Sequence, residues 1–153
     1  MRFRAGLAAI AFVIAACGSP NSAPTPSTVA IAPIDEAEPM PPGGAFQNGE
    51  IGPNGETTFS PVSAEIDDDV TYVFALGHCG LISPVDVDGS FWDVVAAHAA
   101  GGTRVDPDAE GELINQTQGA IVVRGDRAYF RTPSGIVVTF ERHDGPKAFP
   151  GCA

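Results

Sequence analysis

The sequence predicts a small, mainly β domain: a small antiparallel sheet that includes a carboxyl-terminal three-stranded meander, with at most one or two short helices. Three observations point there. Residues 120–124, 127–132 and 135–142 read AIVVR, RAYFRT and GIVVTFER, three runs alternating apolar and polar residues with the two-residue period of a strand. The breaks between them carry turn chemistry, Gly125-Asp126 for a two-residue hairpin and Pro133-Ser134-Gly135 with a proline that presets φ. A helix-like stretch, DAEGELINQT at 108–117, has room for one or two turns.

The elements follow in order. VTYVFAL (70–76) is β-branched, aromatic and apolar on both faces, which predicts a central strand. LISPVDV (81–87) follows a Gly-containing turn, and Pro84 marks an edge or a bend. FWDVVAA (91–97) is a further strand, with a short helix over 92–100 as the alternative. In the meander Ile136, Val138 and Phe140 share one face, and Ala128 and Phe130 oppose Arg127, Tyr129 and Arg131. One face is therefore apolar and covers a core.

Upstream, GSPNSAPTPSTVAIAPIDEAEPMPPGG is dense in Pro, Ala, Ser and Thr, and nine prolines fall between residues 18 and 64. Such chain favours extended conformations and buries too little apolar surface to offset its ordering entropy. It reads as a disordered Pro-rich tether over 17–64, ahead of a β-rich domain over 65–153. Residues 46–64 stay open: Asn48-Gly49 and Asn54-Gly55 are turn signals, and Phe46, Ile51 and Phe59 can dock on the domain.

At 153 residues the chain has room for one domain plus appendages. Its net charge of −11 argues against nucleic acid and against adhesion to anionic lipid through a basic patch. Between Arg4 and Arg104 there is no Lys or Arg, while twelve acids fall there.

The first seventeen residues divide cleanly. Arg2 and Arg4 are a positive start, and AGLAAIAFVIAA (5–16) is uncharged and mostly apolar. As a helix it would span ~18 Å, short of the ~30 Å hydrocarbon core, so it suits a signal peptide over 1–16 rather than a membrane span. Ile14-Ala15-Ala16-Cys17, followed by Gly18-Ser19, resembles the lipobox of bacterial lipoproteins. The resemblance implies that the Cys17 sulfur receives a diacylglyceryl group and that Cys17, then acylated with a palmitate-like chain, becomes the first mature residue. It implies a membrane partner through that lipid and a location facing outside the cytosol, in the periplasm or on the cell surface. The domain itself loosely resembles small uncharacterised secreted or lipid-anchored proteins of actinobacteria, a likeness that carries no activity with it.

With Cys17 given to lipid, Cys79 and Cys152 are left as an even pair in an oxidising compartment, and a disulfide between them is expected. It would close some 73 residues, worth roughly 4 kcal/mol in the chain-entropy model. The rival is a zinc site or a Cys-His catalytic pair at His78-Cys79, which lacks further ligands at workable spacing.

GHCGLISPVDVDGSFWD (77–93) is the candidate functional segment, through His78, Asp86, Asp88, Trp92 and Asp93. Asp86, Asp88 and Asp93 resemble a calcium loop, but neither register places Gly at the sixth position with Glu at the twelfth. The plainer expectation is a β-turn at Asp88-Gly89 with Trp92 in the core. Trp92, Tyr72 and Tyr129 lining a sugar-stacking surface is the alternative. IDDDV (66–70) reads as a solvated loop, and the Arg124-Gly125-Asp126 tripeptide as a hairpin turn rather than an adhesion motif. There is no Gly-x-Ser-x-Gly elbow and no phosphate loop. No catalytic residue, metal ligand or cofactor is assigned. The expectation is a lipid-anchored envelope protein with a non-catalytic binding or interaction module, meeting an envelope protein or the cell wall. The alternative is a small hydrolase or irregular cation-binding domain using residues 77–93.

Overall fold

The computed structural model describes residues 29–43 and 50–149. In chain order it contains β1 (Glu38–Pro39), β2 (Glu50–Ile51), β3 (Thr57–Phe59), β4 (Thr71–Ala75), β5 (Asp86–Val87), β6 (Ser90–His98), β7 (Arg104–Val105), helix α1 (Gly111–Ile114), β8 (Gln118–Arg124), β9 (Arg127–Arg131), β10 (Val137–His143) and β11 (Lys147–Phe149). A 3₁₀ turn at Ile34–Glu36 precedes β1. The molecule is mainly β, as the alternation of its strands predicts.

The main sheet runs β1-β4-β8-β9-β10-β6, with β5 and β7 both paired to the outer edge of β6. Every pairing is antiparallel except β1 with β4. Its centre is the expected meander, β8-β9-β10. Gly125 (φ +61°) opens the β8–β9 turn as the first central residue of a tight hairpin, and Arg124 pairs with Arg127 across it. Asp88 (φ +56°) and Gly89 (φ +76°) close β5 onto β6, a turn that needs left-handed backbone at both central positions. The strand over 91–97 forms as β6, and the alternative helix over 92–100 does not. Of the run 81–87 only Asp86–Val87 is strand, because residues 80–83 spend their backbone bonds on turns (Ile82 N–H to Cys79 O, Ser83 N–H to Gly80 O).

β6 carries a bulge. Ala96 pairs with Thr139 and Val94 with Phe140, which leaves Val95 as an extra residue. The bulge changes the alternation, so Trp92 and Ala97 both reach the core while Val94 and Val95 stay exposed.

The core lies on one face of the sheet. Tyr72, Trp92, Ile121, Val123, Ala128, Phe130, Val138 and Phe140 meet there with Leu76 and Val85 from the connecting loop and Leu113 from α1. A small second sheet, β11-β3-β2, joins on the other side, where the Phe149 ring stands 5.6 Å from Phe91 and 5.9 Å from Phe59.

Part of the expected tether behaves otherwise. Residues 29–43 lie on the sheet: Ile31 is buried on Ala120 and Val122, and β1 extends the sheet beside β4. Residues 50–59 build β2 and β3. The compositional expectation of disorder weighed what this segment can bury within itself. Here it borrows its burial from a face that the sheet already presents. Residues 1–28, including the expected signal peptide and Cys17, lie outside the described residues. Among the described residues no helix is long and apolar enough to cross a membrane.

Candidate functional site

The sheet takes the residues of 77–93 to separate places. Asp86, in β5, is only 8% exposed. Its Oδ2 accepts hydrogen bonds from the Val62 and Ser63 backbone N–H groups at 2.6 and 3.0 Å, and its Oδ1 accepts from Ser63 Oγ at 2.5 Å. Ser63 Oγ in turn accepts from Gly89 N–H at 2.6 Å. One carboxylate thus clasps the connection between β3 and β4 against the β5–β6 turn.

Asp88 belongs to a second arrangement. Its left-handed backbone turns the side chain back over β6, where Oδ1 accepts from Trp92 Nε1 at 3.2 Å and Oδ2 pairs with Arg142 Nη2 at 2.7 Å. Arg142 and Trp92 are directly cross-strand, and the guanidinium carbon sits 4.4 Å from the indole centroid. Arg142 also donates to Ser90 Oγ at 2.6 Å. Trp92 is 2% exposed, and its Nε1 donates to Val87 O at 3.0 Å as well. Trp92 is therefore a core residue under a cationic lid, not an open face for stacking a sugar.

Asp93 points to the opposite face, as the next residue of a strand must. There it meets His143 from β10, Nδ1 to Oδ2 at 2.8 Å, and Lys147 from β11, whose Nζ contacts Oδ1. Burial raises the Asp93 carboxyl, but hydrogen bonds from Lys147 and His143, with their charges, outweigh it and hold the group below its ordinary value. Lys147 also lies 5.2 Å from the Phe149 ring centroid. The cluster joins the main sheet to the small one. His143 Nδ1 is engaged with the Asp93 carboxylate rather than left open.

His78 is exposed, on the turn between β4 and β5. With Phe74, Ala75, Gly77, Ser83, Pro84 and Asp86 it borders an open concavity of about 330 Å³. His78 and Asp86 thus share this rim, and Asp93 is not part of it. Cys79 is buried, and Cys17 and Cys152 both lie outside the described residues. The turn 77–81 seats on α1 through Leu81 N–H to Leu113 O at 2.7 Å. Gly80 permits this, since a Cβ there would stand 1.9 Å from Leu113 O.

The acidic run and the Arg-Gly-Asp tripeptide brace each other. Arg124 Nε pairs with Asp69 Oδ1 at 2.7 Å, and Asp68 Oδ2 accepts from Gly125 N–H at 3.2 Å. The tripeptide's arginine is thereby committed to the fold. Elsewhere Glu112 accepts from Ser134 Oγ at 2.5 Å, tying α1 to the β9–β10 turn. That bond, against the opposing effect of burial, holds the Glu112 carboxyl below its ordinary value.

Among the described residues no group of three His, Cys, Asp or Glu side chains is gathered closely enough to hold a metal ion. Ser63, Arg142, His143 and Lys147, the partners of the three aspartates, are residues that sequence reasoning missed. The register of β10 against β6 brings in Arg142 and His143, β11 brings in Lys147, and no local pattern in the sequence carries either placement. No family model matches the chain, and neither the curated proteins nor the solved structures hold a match to it.

Proposed function

We propose that the protein is an exported bacterial lipoprotein, held to the membrane through a diacylglyceryl thioether on Cys17, whose β domain is a non-catalytic binding or interaction module of the cell envelope. The anchor rests on the Arg-rich start, the short apolar core and Ile14-Ala15-Ala16-Cys17. The non-catalytic character rests on one observation: Asp86, Asp88 and Asp93 each accept hydrogen bonds from other parts of the chain and serve as braces between elements. A carboxylate engaged in this way has fewer lone pairs left to offer a substrate or a cation.

Cys79 joins Cys152 in this proposal. Cys17 carries lipid, and β11 brings the chain to Phe149, packed on Phe91, three residues before Cys152. Peptide mass spectrometry of the native protein under non-reducing conditions tests both points. The expected result is an amino-terminal peptide beginning at Cys17 with two or three acyl chains, together with a cross-linked Cys79–Cys152 peptide. An uncleaved leader or an unmodified Cys17 refutes the anchor, and free Cys152 refutes the pairing.

A further inference from the structure

We infer that residues 29–39 are a docked length of the tether, a strap that sets how far the domain stands from the bilayer and that uncovers an apolar stripe of the sheet when it lifts; this rests on the lipid anchor proposed above. The strap is pinned by one apolar side chain. Ile31 is 7% exposed, whereas Ala30 beside it is exposed and Ile34 is 37% exposed. Ile31 lies on Ala120 and Val122, with Val29 and Ala37 from the strap and Tyr129 and Val137 from the sheet packed around. Ala120 and Val122 are the residues that lifting would wet, and they are now 2% and 0% exposed.

The polar contacts follow the strap along its length. Arg124 Nη2 donates to Ala30 O at 3.1 Å, Arg131 Nη1 to Ile31 O at 3.5 Å, and Ala32 N–H to Thr71 Oγ1 at 3.4 Å. Beyond the 3₁₀ turn the strap pairs parallel with β4 over two residues, Glu38 with Tyr72 and Pro39 with Val73. These are long or few bonds beside the five- to seven-residue ladders of β4, β8, β9 and β10. Local opening begins at segments held as lightly as this.

The geometry of the chain gives the docking its consequence. Docked, about 12 residues separate Cys17 from Val29, and at ~3.3 Å each they reach at most ~40 Å. Lifted as far as Met40, which packs on the main core, about 23 residues are available and the limit rises to ~76 Å. One segment therefore switches the domain between a short leash and a long one.

Hydrogen exchange read by mass spectrometry tests the docking on the full lipidated protein in phosphatidylcholine vesicles. Amides of residues 30–40 are expected to exchange at least tenfold more slowly than unstructured chain. Ile31→Asp is expected to abolish that protection while amides of β8–β10 keep theirs, which shows that the variant is folded. Neutron reflectometry on a supported bilayer reads the leash: the far edge of the protein layer is expected to move outward by tens of ångströms in Ile31→Asp. Unprotected amides at 30–40 in the unaltered protein, or a layer that does not move in Ile31→Asp, overturns the inference. If Cys17 carries no lipid the protein does not stay on the bilayer, yet the exchange protection persists, so failure of the anchor and failure of the strap give different results.

Discussion

Asp86→Ala separates a brace from a site. The carboxylate accepts three hydrogen bonds, from Val62 N–H, Ser63 N–H and Ser63 Oγ, at 2.6, 3.0 and 2.5 Å, and is 8% exposed. Hydrogen bonds to a charged group are worth about 1.5–3 kcal/mol each, and an orphaned buried donor costs about 1–3 kcal/mol. The three share one acceptor and do not add, so a total near 3 kcal/mol is expected. For a domain of this size that lowers Tm by roughly 12–24 °C. Asp86→Asn keeps one carbonyl oxygen and should lose about half as much. Ser63→Ala removes a single bond to the carboxylate and should cost about 1 kcal/mol, and the two substitutions should be non-additive by a similar amount. Urea denaturation followed by the emission of Trp92, the sole tryptophan, measures all four variants. Its indole donates to the carbonyl of Val87, next to Asp86, so it reports on this corner. An Asp86→Ala protein with an unchanged midpoint would refute the brace and return Asp86 to the candidates for a ligand site.

Two further outcomes follow from the braces on β6. Arg142→Ala removes the pair with Asp88, the contact over the indole and the bond to Ser90, and should destabilise by about 1–2 kcal/mol. It should also shift Trp92 emission to longer wavelength, and Arg142→Lys should restore only part of either effect. Asp93 and Glu112 are both held below their ordinary values of 3.8 and 4.5, so the folded state binds their protons less readily than the unfolded chain. Their contribution to stability is thus complete above about pH 5 and is lost as pH falls through the folded values. Asp93→Asn should flatten the acid limb of a stability-against-pH curve between about pH 5 and 2, and an unaltered slope would show that the junction with Lys147 and His143 adds nothing.

The sheet was legible where its signal is local. β9 and β10 announce themselves through two-residue alternation, β8 through an apolar β-branched run buried on both faces, and their turns through Gly125 and Gly135. β6 was legible as a strand but not in its facing, because the bulge at Val95 changes the alternation between Trp92 and Ala97. The candidate segment was legible as unusual, not as braces. Asp86 finds Ser63 and Asp93 finds His143 and Lys147 across 23 to 54 residues of chain, through long-range packing that no short pattern encodes. The strap was misjudged for a related reason. Composition reports what a segment can bury alone, and Ile31 is buried by a surface formed from β8.

The order of strands in the main sheet also sets a timetable. The long flanking strands, β4 and β6, have β8 and β10 as their chief neighbours, and both of these begin at or after residue 118. A polypeptide emerging amino end first has released both flanks before the middle of the sheet exists. Until the final quarter of the chain arrives, the flanks have only the two-residue pairings with β1, β5 and β7, and the long ladders of the sheet close last.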